Sequence, residues 1–314
     1  MDQFLQQLIN GLSLGSLYAL IAVGYTVVYG IIQLINFAHG EVFMIGAFGA
    51  LTVHTVAFDE DMRSLWVLPV MVIGAMAASV GVVILMERFA YRPLRNAPRL
   101  APLITAIGVS IFLQEAVRLF YGRIPGFDDA KRAIPFPQIE FVTGEPIAMG
   151  GVVIQRAAAF TIVALIFCTV LLWFFVNRTR TGRAMQATSQ DPDTARLMGI
   201  NVDRIIVIAF CVGAALAAIA GVAHGLRYTQ IDFRMGFLAG LKAFTAAVLG
   251  GIGNIYGAVV GGLVLGLAEA MAIQYVPGQF GGTAWKDVWA FVLLILVLVF
   301  RPQGLLGARV VDRA

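Results

Sequence analysis

The sequence carries very little charge. Only 13% of its 314 residues are Asp, Glu, Lys or Arg, whereas 60% are hydrophobic. An average soluble domain has about 25% charged residues, and no soluble core requires so many apolar side chains. The few charges also occur in clumps that are separated by long uncharged stretches. This pattern excludes an ordinary soluble domain and is typical of a helical protein that crosses the membrane many times.

Cysteine and histidine are also scarce. The two cysteines lie in apolar stretches without the spacing of a metal site, and the three histidines, His39, His54 and His224, are scattered. No nucleophile with a base, metal-ligand cluster or carboxylate pair stands in a suitable setting. We therefore predict no enzyme active site, no metal and no cofactor. The net charge of +4 does not indicate nucleic-acid binding, because basic residues beside membrane spans report orientation instead.

The long uncharged stretches are numerous enough for about nine membrane spans. A hydrocarbon core requires about 20 helical residues, and most of the stretches reach that length. The predicted fold class is all-α, a polytopic membrane helical bundle of eight to nine spans, with eight if one segment is re-entrant. The predicted spans are 8–29, 37–57, 65–86, 101–121, 156–177, 203–226, 237–252, 255–275 and 286–301.

Three arginine-rich segments predict the orientation of the chain. Cytoplasmic connections carry an excess of Lys and Arg, whereas the connection at 59–61 is entirely acidic. With the C-terminus inside, nine spans place the N-terminus outside and eight place it inside. With nine, the four spans on either side of the central one start on opposite sides, as an inverted repeat requires. The predicted cytoplasmic clusters are Arg88, Arg92, Arg95 and Arg99; Arg178, Arg180, Arg183, Arg196 and Arg204; and Arg301, Arg309 and Arg313.

The polar segment 178–202, between two predicted spans, has the signals of a short, well-capped helix. Asp191 is a favourable N-cap, Pro192 suits the first helical position, and Gly199 can end the helix with Ile200 beyond it. A helix of this kind outside the membrane is a candidate docking site for a soluble partner, although an ordinary capped loop is the alternative. The candidate coupling residues are Gly182, Arg183, Ala184, Asp191, Pro192, Ala195, Arg196, Leu197 and Gly199.

Few polar residues fall at membrane depth, where an ionisable group often marks a pathway. Asn36, His39 and Glu41 lie where the first two predicted spans join, and Glu269 lies inside the eighth. These four residues are candidates for a translocation pathway, with helix capping or structural pairing as the alternative. Lys242 is expected near an outer helix end, with its ammonium reaching the interface. We therefore expect an apolar, weakly binding passage.

Glycines recur at every fourth position near the C-terminal spans. Gly253, Gly257 and Gly261 form a face of small residues on which helices can pack closely, within one subunit or between two. The neighbouring run 250–254 is not a phosphate loop, because it lacks the Gly-Lys-Ser/Thr ending.

Two parts of the sequence resemble a known transporter family. The run Thr-Gly-Arg-Ala-Met at 181–185, with Asp-Pro at 191–192 and Ala-Arg-Leu-Met-Gly-Ile at 195–200, is similar to the coupling loop of ABC-importer permeases. The blocks 11–26 and 35–41 look like the H-type permease of the Liv branched-chain amino acid importers. The resemblance covers nearly the whole chain.

That resemblance implies the ABC-importer permease fold, with 1–314 as a single transmembrane permease domain and 178–202 as its cytoplasmic coupling loop. It implies a bacterial inner-membrane complex with a related M-type permease, two cytoplasmic ATP-binding subunits and a periplasmic substrate-binding protein. The ATPase activity would belong to those partners, and the cargo would be a branched-chain or related amino acid. The alternatives are a permease for urea or short amides and an ion-coupled secondary transporter, which would require intramembrane carboxylates for coupling.

Overall fold

Helices form nearly all of the regular structure in the computed structural model, which describes residues 2–34, 36–59, 62–95, 97–98, 100–124, 126–127, 129–149 and 151–307. The longer helices are α1 Asp2–Ile32, α2 His39–Ala57, α3 Val67–Met86, α4 Leu100–Phe120, α6 Arg156–Arg178, α9 Val202–Tyr228, α10 Met235–Gly250, α11 Ile255–Tyr275 and α12 Lys286–Phe300. The shorter ones are α5 Glu140–Thr143, α7 Arg180–Gln190 and α8 Pro192–Leu197. Two small antiparallel pairs join β1 Ile134–Pro135 to β4 Gln230–Ile231, and β2 Ile147–Met149 to β3 Val152–Ile154.

The predicted all-α membrane bundle is confirmed. Among the described residues, eight helical stretches are long and apolar enough to cross a membrane, and α10 is a shorter apolar helix. All nine predicted spans are therefore helical. With 16 residues, α10 is about 24 Å long, shorter than the hydrocarbon core of about 30 Å. The count of eight or nine spans depends on this helix alone.

The start and the end of α1 mark the two opposite sides of the bundle. The start of α1 lies beside the β2–β3 hairpin, where Gln6 Nε2 donates to the Val153 carbonyl at 2.9 Å, and we call this the strand side. The last turn of α1 lies beside α8 and the start of α9, which we call the loop side. Residues 305 and 306 return to the end of α10 through backbone hydrogen bonds to Leu249 and Gly250.

The basic connections follow the same division. Arg92 and Arg95 both pair with Asp203 in the first turn of α9, so the first two predicted clusters meet on the loop side. Arg99, Arg309 and Arg313, like the acidic Glu60 and Asp61, lie outside the described residues. Since α1 starts on the strand side and α9 on the loop side, the two four-helix groups run in opposite senses. Internal symmetry between them stays a prediction.

The core is built around α1, which is encased by α9, α10 and α11. Lipid provides no hydrophobic drive for helix association, so close packing depends on small residues. Cβ atoms added at Gly15 and Gly266 would collide with the backbone of the facing helix, and one at Gly262 would lie 2.6 Å from Ala19. These glycines permit the contact between α1 and α11.

The predicted glycine face divides into two parts. Gly257 and Gly261 face α10 within the same chain, where added Cβ atoms would clash with the backbone of Gly250 and Ala246. Gly253 instead lies in the turn before α11 with φ of +92°, and a Cβ there would meet nothing within 4 Å. Its glycine is required by backbone conformation rather than by helix packing.

The second helix begins inside the bundle. A Cβ placed on Gly24, about two turns before the end of α1, would lie 2.6 Å from the His39 ring. The chain therefore leaves α1 on the loop side and turns back before α2 starts. Broken helices at membrane depth are tolerated only where protein or a cavity satisfies the freed backbone groups.

Candidate coupling loop and buried polar sites

The polar segment 178–202 folds as two short helices joined at Asp191. The Asp191 carboxylate accepts from the backbone N–H groups of Asp193 at 2.9 Å and Thr194 at 3.1 Å, and from the Thr194 hydroxyl at 2.5 Å. Pro192 occupies the first turn of α8. The predicted N-cap is thus present, and it fixes the direction in which α8 leaves the bundle.

The end of α8 is equally well defined. Gly199 has φ of +83° and donates its N–H to the Arg196 carbonyl at 3.0 Å, while the Ile200 N–H donates to the Ala195 carbonyl at 3.0 Å. These two bonds form a Schellman motif, which requires a left-handed residue at the glycine position. The next helix starts at once, because the Asn201 side chain caps the Arg204 N–H at 3.0 Å.

The cap has an electrostatic consequence. The hydrogen bonds from the Thr194 hydroxyl and from the Thr194 and Asp193 amides hold the pKa of the exposed Asp191 carboxyl below its usual value. These donors stabilise the charged form. The cap is therefore an ionised carboxylate at neutral pH.

The free surface of α8 presents apolar side chains to the outside. Leu197 is 88% exposed and Met198 is 78% exposed, although both lie in a polar segment outside the spans. Ala195 on the opposite face is buried against the bundle. Large apolar side chains that project from a rigid, capped helix are typical of a protein contact surface.

The remaining coupling candidates lie on α7 and α8. Gly182 is buried under the last turn of α6, where a Cβ would clash with the Phe175 and Val176 carbonyls. Arg183 is exposed and Ala184 is half-buried on α7. Arg196 is exposed and pairs with Asp193 at 3.0 Å.

A cavity of about 460 Å³ separates α8 from the end of α1. Its lining includes Arg95, which makes charge pairs with Glu87, the residue directly after α3, and with Asp203 at the start of α9. The turns that follow α3 are a π-helix, Glu87–Tyr91, and a 3-10 helix, Arg92–Leu94. Arg95 thus links the π-helix and 3-10 helix after α3 to α9, the helix that follows segment 178–202.

Polar side chains surround the start of α2. The Asn36 side-chain oxygen accepts from the Ala38 N–H at 3.0 Å and from the Tyr91 hydroxyl at 2.5 Å. The His39 ring packs against Tyr25 with centroids 4.5 Å apart. Asn36 therefore satisfies the broken backbone, as the capping alternative requires.

Glu41 is fully buried one turn into α2. One of its oxygens accepts from the Ser110 hydroxyl at 3.0 Å and from the Gln114 amide at 2.7 Å, both on α4. A Cβ on Gly236 of α10 would lie 2.5 Å from the other oxygen. Glu41 therefore lies between α2, α4 and α10.

The fourth pathway candidate, Glu269, belongs to a buried charged group. Lys242 Nζ lies 2.8 Å from Glu269 Oε1, 2.5 Å from Asp287 and 3.0 Å from the Tyr18 hydroxyl. The Tyr18 hydroxyl in turn donates to Glu269 Oε2 at 3.0 Å. We call these four residues the Lys242 cluster.

The expected interfacial position of Lys242 is wrong. Its side chain is only 7% exposed, because two carboxylates from α11 and α12 converge on it. Sequence reasoning also missed Asp287 and Tyr18. One available signal was that Lys242 and Glu269 are the single charges of neighbouring apolar segments, and an isolated buried charge requires a partner.

A second cavity, of about 340 Å³, adjoins this cluster. Lys242, Asp287 and Tyr18 form one part of its wall, and Gln230 of β4 and Asp232, which follows β4, form another. Since α12 and α10 both start here, the cavity belongs to the strand side of the bundle. No group of three or more residues suited to holding a metal ion occurs in the described part of the chain.

An apolar bundle with charged groups paired inside it and a capped helix outside it is the architecture of a multi-pass membrane protein. The family model for branched-chain amino acid transport system permease components matches residues 7–298. The chain belongs to this family.

Two permeases of known name match this chain over nearly its full length, and a third matches part of it. The chain is 50% identical to the high-affinity branched-chain amino acid transport system permease protein BraD of Pseudomonas aeruginosa, over 99% of this chain and 98% of BraD. It is 44% identical to the LivH permease of Escherichia coli, over 99% and 97% of the two chains. A fructose import permease protein, FrcC of Rhizobium meliloti, is 34% identical over 35% of this chain and 33% of its own.

Proposed function

We propose that this chain is a permease subunit of an ABC importer in the bacterial inner membrane, and that it admits branched-chain amino acids to the cytoplasm. The full-length similarity to BraD and LivH supports the substrate class. The single structural observation that carries the coupling role is α8, a capped external helix with Leu197 and Met198 exposed. The chain itself has no catalytic role in this proposal.

In this proposal each partner is assigned to one side of the bundle. Residues 178–202 face the cytoplasm, where the apolar tip of α8 enters a groove of an ATP-binding subunit. Two such subunits serve this chain and a second, related permease. A periplasmic binding protein delivers the amino acid to the strand side, and the surrounding lipid contacts the exposed apolar faces of α4, α6 and α12.

An ion-coupled secondary transporter is the less favourable reading. Such a transporter requires intramembrane carboxylates that can exchange an ion. Glu269 is paired with the cation of Lys242, and one oxygen of Glu41 accepts two hydrogen bonds from α4, which leaves a single oxygen of these two carboxylates, Glu41 Oε2, buried without a partner among the described residues. A coupling loop with an exposed apolar tip would also lack a purpose.

Reconstitution tests the function. The chain, the second permease and the ATP-binding subunits are placed together in vesicles, and radiolabelled L-leucine uptake is measured with loaded binding protein. Uptake should require ATP and should be competed by valine and isoleucine, but not by urea or acetamide. Uptake that follows an ion gradient without ATP would favour the secondary transporter, and competition by urea would move the cargo to the amides.

The contact between α8 and the ATP-binding subunits is tested separately. Leu197→Asp places a charge at the exposed tip of α8 and should abolish co-purification of the ATP-binding subunits. Ser189→Asp, on the same loop at the end of α7, is the matched control and should retain them. Equal retention by both variants would remove α8 from the interface.

A further inference from the structure

The strand-side cavity of about 340 Å³ combines an apolar wall with charges of both signs. Leu14, Leu17 and Leu238 supply apolar surface. Lys286 and Asp287, adjacent at the start of α12, supply a cation and a carboxylate. Ligand pockets for small molecules commonly have this composition, with a few placed polar groups on an apolar wall.

The charges near the cavity leave an excess of one carboxylate. The lining contains two cations, Lys242 and Lys286, and two carboxylates, Asp232 and Asp287. The third carboxylate is that of Glu269, which lies behind the lining and is bonded to Lys242. The Asp287 side chain is 38% exposed, whereas that of Lys242 is 7% exposed. Asp287 is therefore the member of the Lys242 cluster that an arriving cation can reach.

A buried polar atom also lies at this wall. The Nδ1 atom of His224 is buried and has no hydrogen-bond partner among the described residues, and the His224 ring lines the cavity. Its ring packs between Phe43 and Tyr228, with centroids 5.4 Å and 4.5 Å away. This packing holds the ring in place at the wall.

We propose that this cavity is a transient subsite for a zwitterionic amino acid with an aliphatic side chain. The ammonium group faces Asp287, the carboxylate faces Lys286, and the side chain lies against Leu17 and Leu238. The inference rests on the proposed function and replaces the expectation of a purely apolar passage. Affinity is low because Lys242 competes with the ammonium group for Asp287, and low affinity suits a site that must release its cargo.

Cysteine protection tests the subsite directly. Ala239→Cys, in the lining of α10, is introduced together with Cys168→Ser and Cys211→Ser into the assembled transporter without binding protein. An impermeant thiol reagent is applied, and labelling of this chain is followed by mass spectrometry. L-Leucine at about twice its dissociation constant should slow labelling about threefold, because only the free site reacts.

A ligand analogue and two variants of Asp287 distinguish a site that recognises the ammonium group from a cavity that binds any apolar molecule. 4-Methylpentanoate has the same carbon skeleton without the ammonium group and should not protect Ala239→Cys at the same concentration. Asp287→Asn should remove protection by leucine while the labelling rate without ligand stays the same, and Asp287→Glu should retain protection. Thr283→Cys, exposed outside the lining, is the control and should label equally with and without leucine.

Two results would overturn the proposal. If leucine and 4-methylpentanoate protect equally, the cavity does not recognise the zwitterion. If the complete transporter imports leucine with ATP but leucine leaves Ala239→Cys labelling unchanged, the subsite is refuted and the proposed function stands. Failure of the proposed function would appear separately, as the absence of ATP-dependent leucine uptake by the unmodified chain.

Discussion

Lys242 and Glu269 are each the only charged residue of their helix, and their side chains meet at 2.8 Å inside the bundle. Either charge alone at this depth would cost several kcal/mol. The pair, with the Tyr18 hydroxyl bonded to both members, joins α1, α10 and α11 at one point. Asp287 extends the connection to α12.

The first prediction concerns the order of stability among variants of this cluster. Lys242→Met leaves Glu269 and Asp287 without their cation, and removal of one partner from a buried pair typically costs about 3–5 kcal/mol. Glu269→Gln leaves Lys242 with Asp287 and should cost less. Thermal unfolding in detergent should rank the melting temperatures as unmodified chain, then Glu269→Gln, then Lys242→Met.

The double variant sharpens that test. Lys242→Met with Glu269→Gln removes both buried charges and should be more stable than Lys242→Met alone, since their effects are coupled. Lys131→Gln, an exposed residue on the strand side, should leave the melting temperature unchanged. A double variant less stable than either single one would show that the pair is not the source of the effect.

The sequence was sufficient for features that depend on local pattern. Hydropathy located all nine apolar helices, and residue types at 191, 192 and 199 located the caps of α8. Each of these depends on neighbours within one or two turns. The same reasoning gave the wrong environment for Lys242, because its partners arrive from α11 and α12, 27 and 45 positions away along the chain.

The start of α2 shows the same limit. The sequence marked Asn36, His39 and Glu41 as unusual, but their partners Tyr91, Ser110 and Gln114 belong to later helices. Nothing in the local pattern distinguishes a helix that starts at the membrane surface from one that starts inside the bundle. That difference is set by the packing of Gly24 against His39.

A second prediction compares two arginines that contact the same carboxylate. Arg95 bridges Asp203 to Glu87, whose side chain is 4% exposed, whereas Arg92 lies 3.9 Å from Asp203 with both side chains more than half exposed. Arg95→Gln leaves Glu87 buried without its cation and should lower the melting temperature clearly. Arg92→Gln should change it little, since an exposed pair contributes about 0–1 kcal/mol. Equal losses would mean that burial of Glu87 does not matter.

A third prediction concerns the acid range. The pKa of Asp191 is lowered in the folded loop, first by the Thr194 hydroxyl. A lowered folded pKa means that the carboxylate stabilises α8 fully above the ordinary value of about 4, and that this contribution is lost as pH falls through the lowered pKa. The carboxyl carbon resonance of Asp191, followed by NMR in nanodiscs, should titrate below the midpoint found in Thr194→Ala. Coincident midpoints would contradict the role of the hydroxyl.

The last prediction concerns coupling through the end of α8. Gly199 has φ of +83°, and a Cβ there would meet no atom within 4 Å, so substitution acts through backbone strain and not through collision. Gly199→Val should cost about 1 kcal/mol or more and should turn α8 away from its docked direction. Uptake should fall, and ATP hydrolysis should lose its stimulation by loaded binding protein, at unchanged membrane abundance.

Two further variants make this result specific. Gly199→Asn tolerates the left-handed conformation better than valine and should retain most of the stimulation. Asp191→Ala removes the N-cap and leaves the glycine end intact, so its defect should be in the same direction but milder than that of Gly199→Val. If Gly199→Val and Asp191→Ala both show normal uptake and normally stimulated hydrolysis, α8 is a passive connection, and the ATP-binding subunits must contact the permease elsewhere.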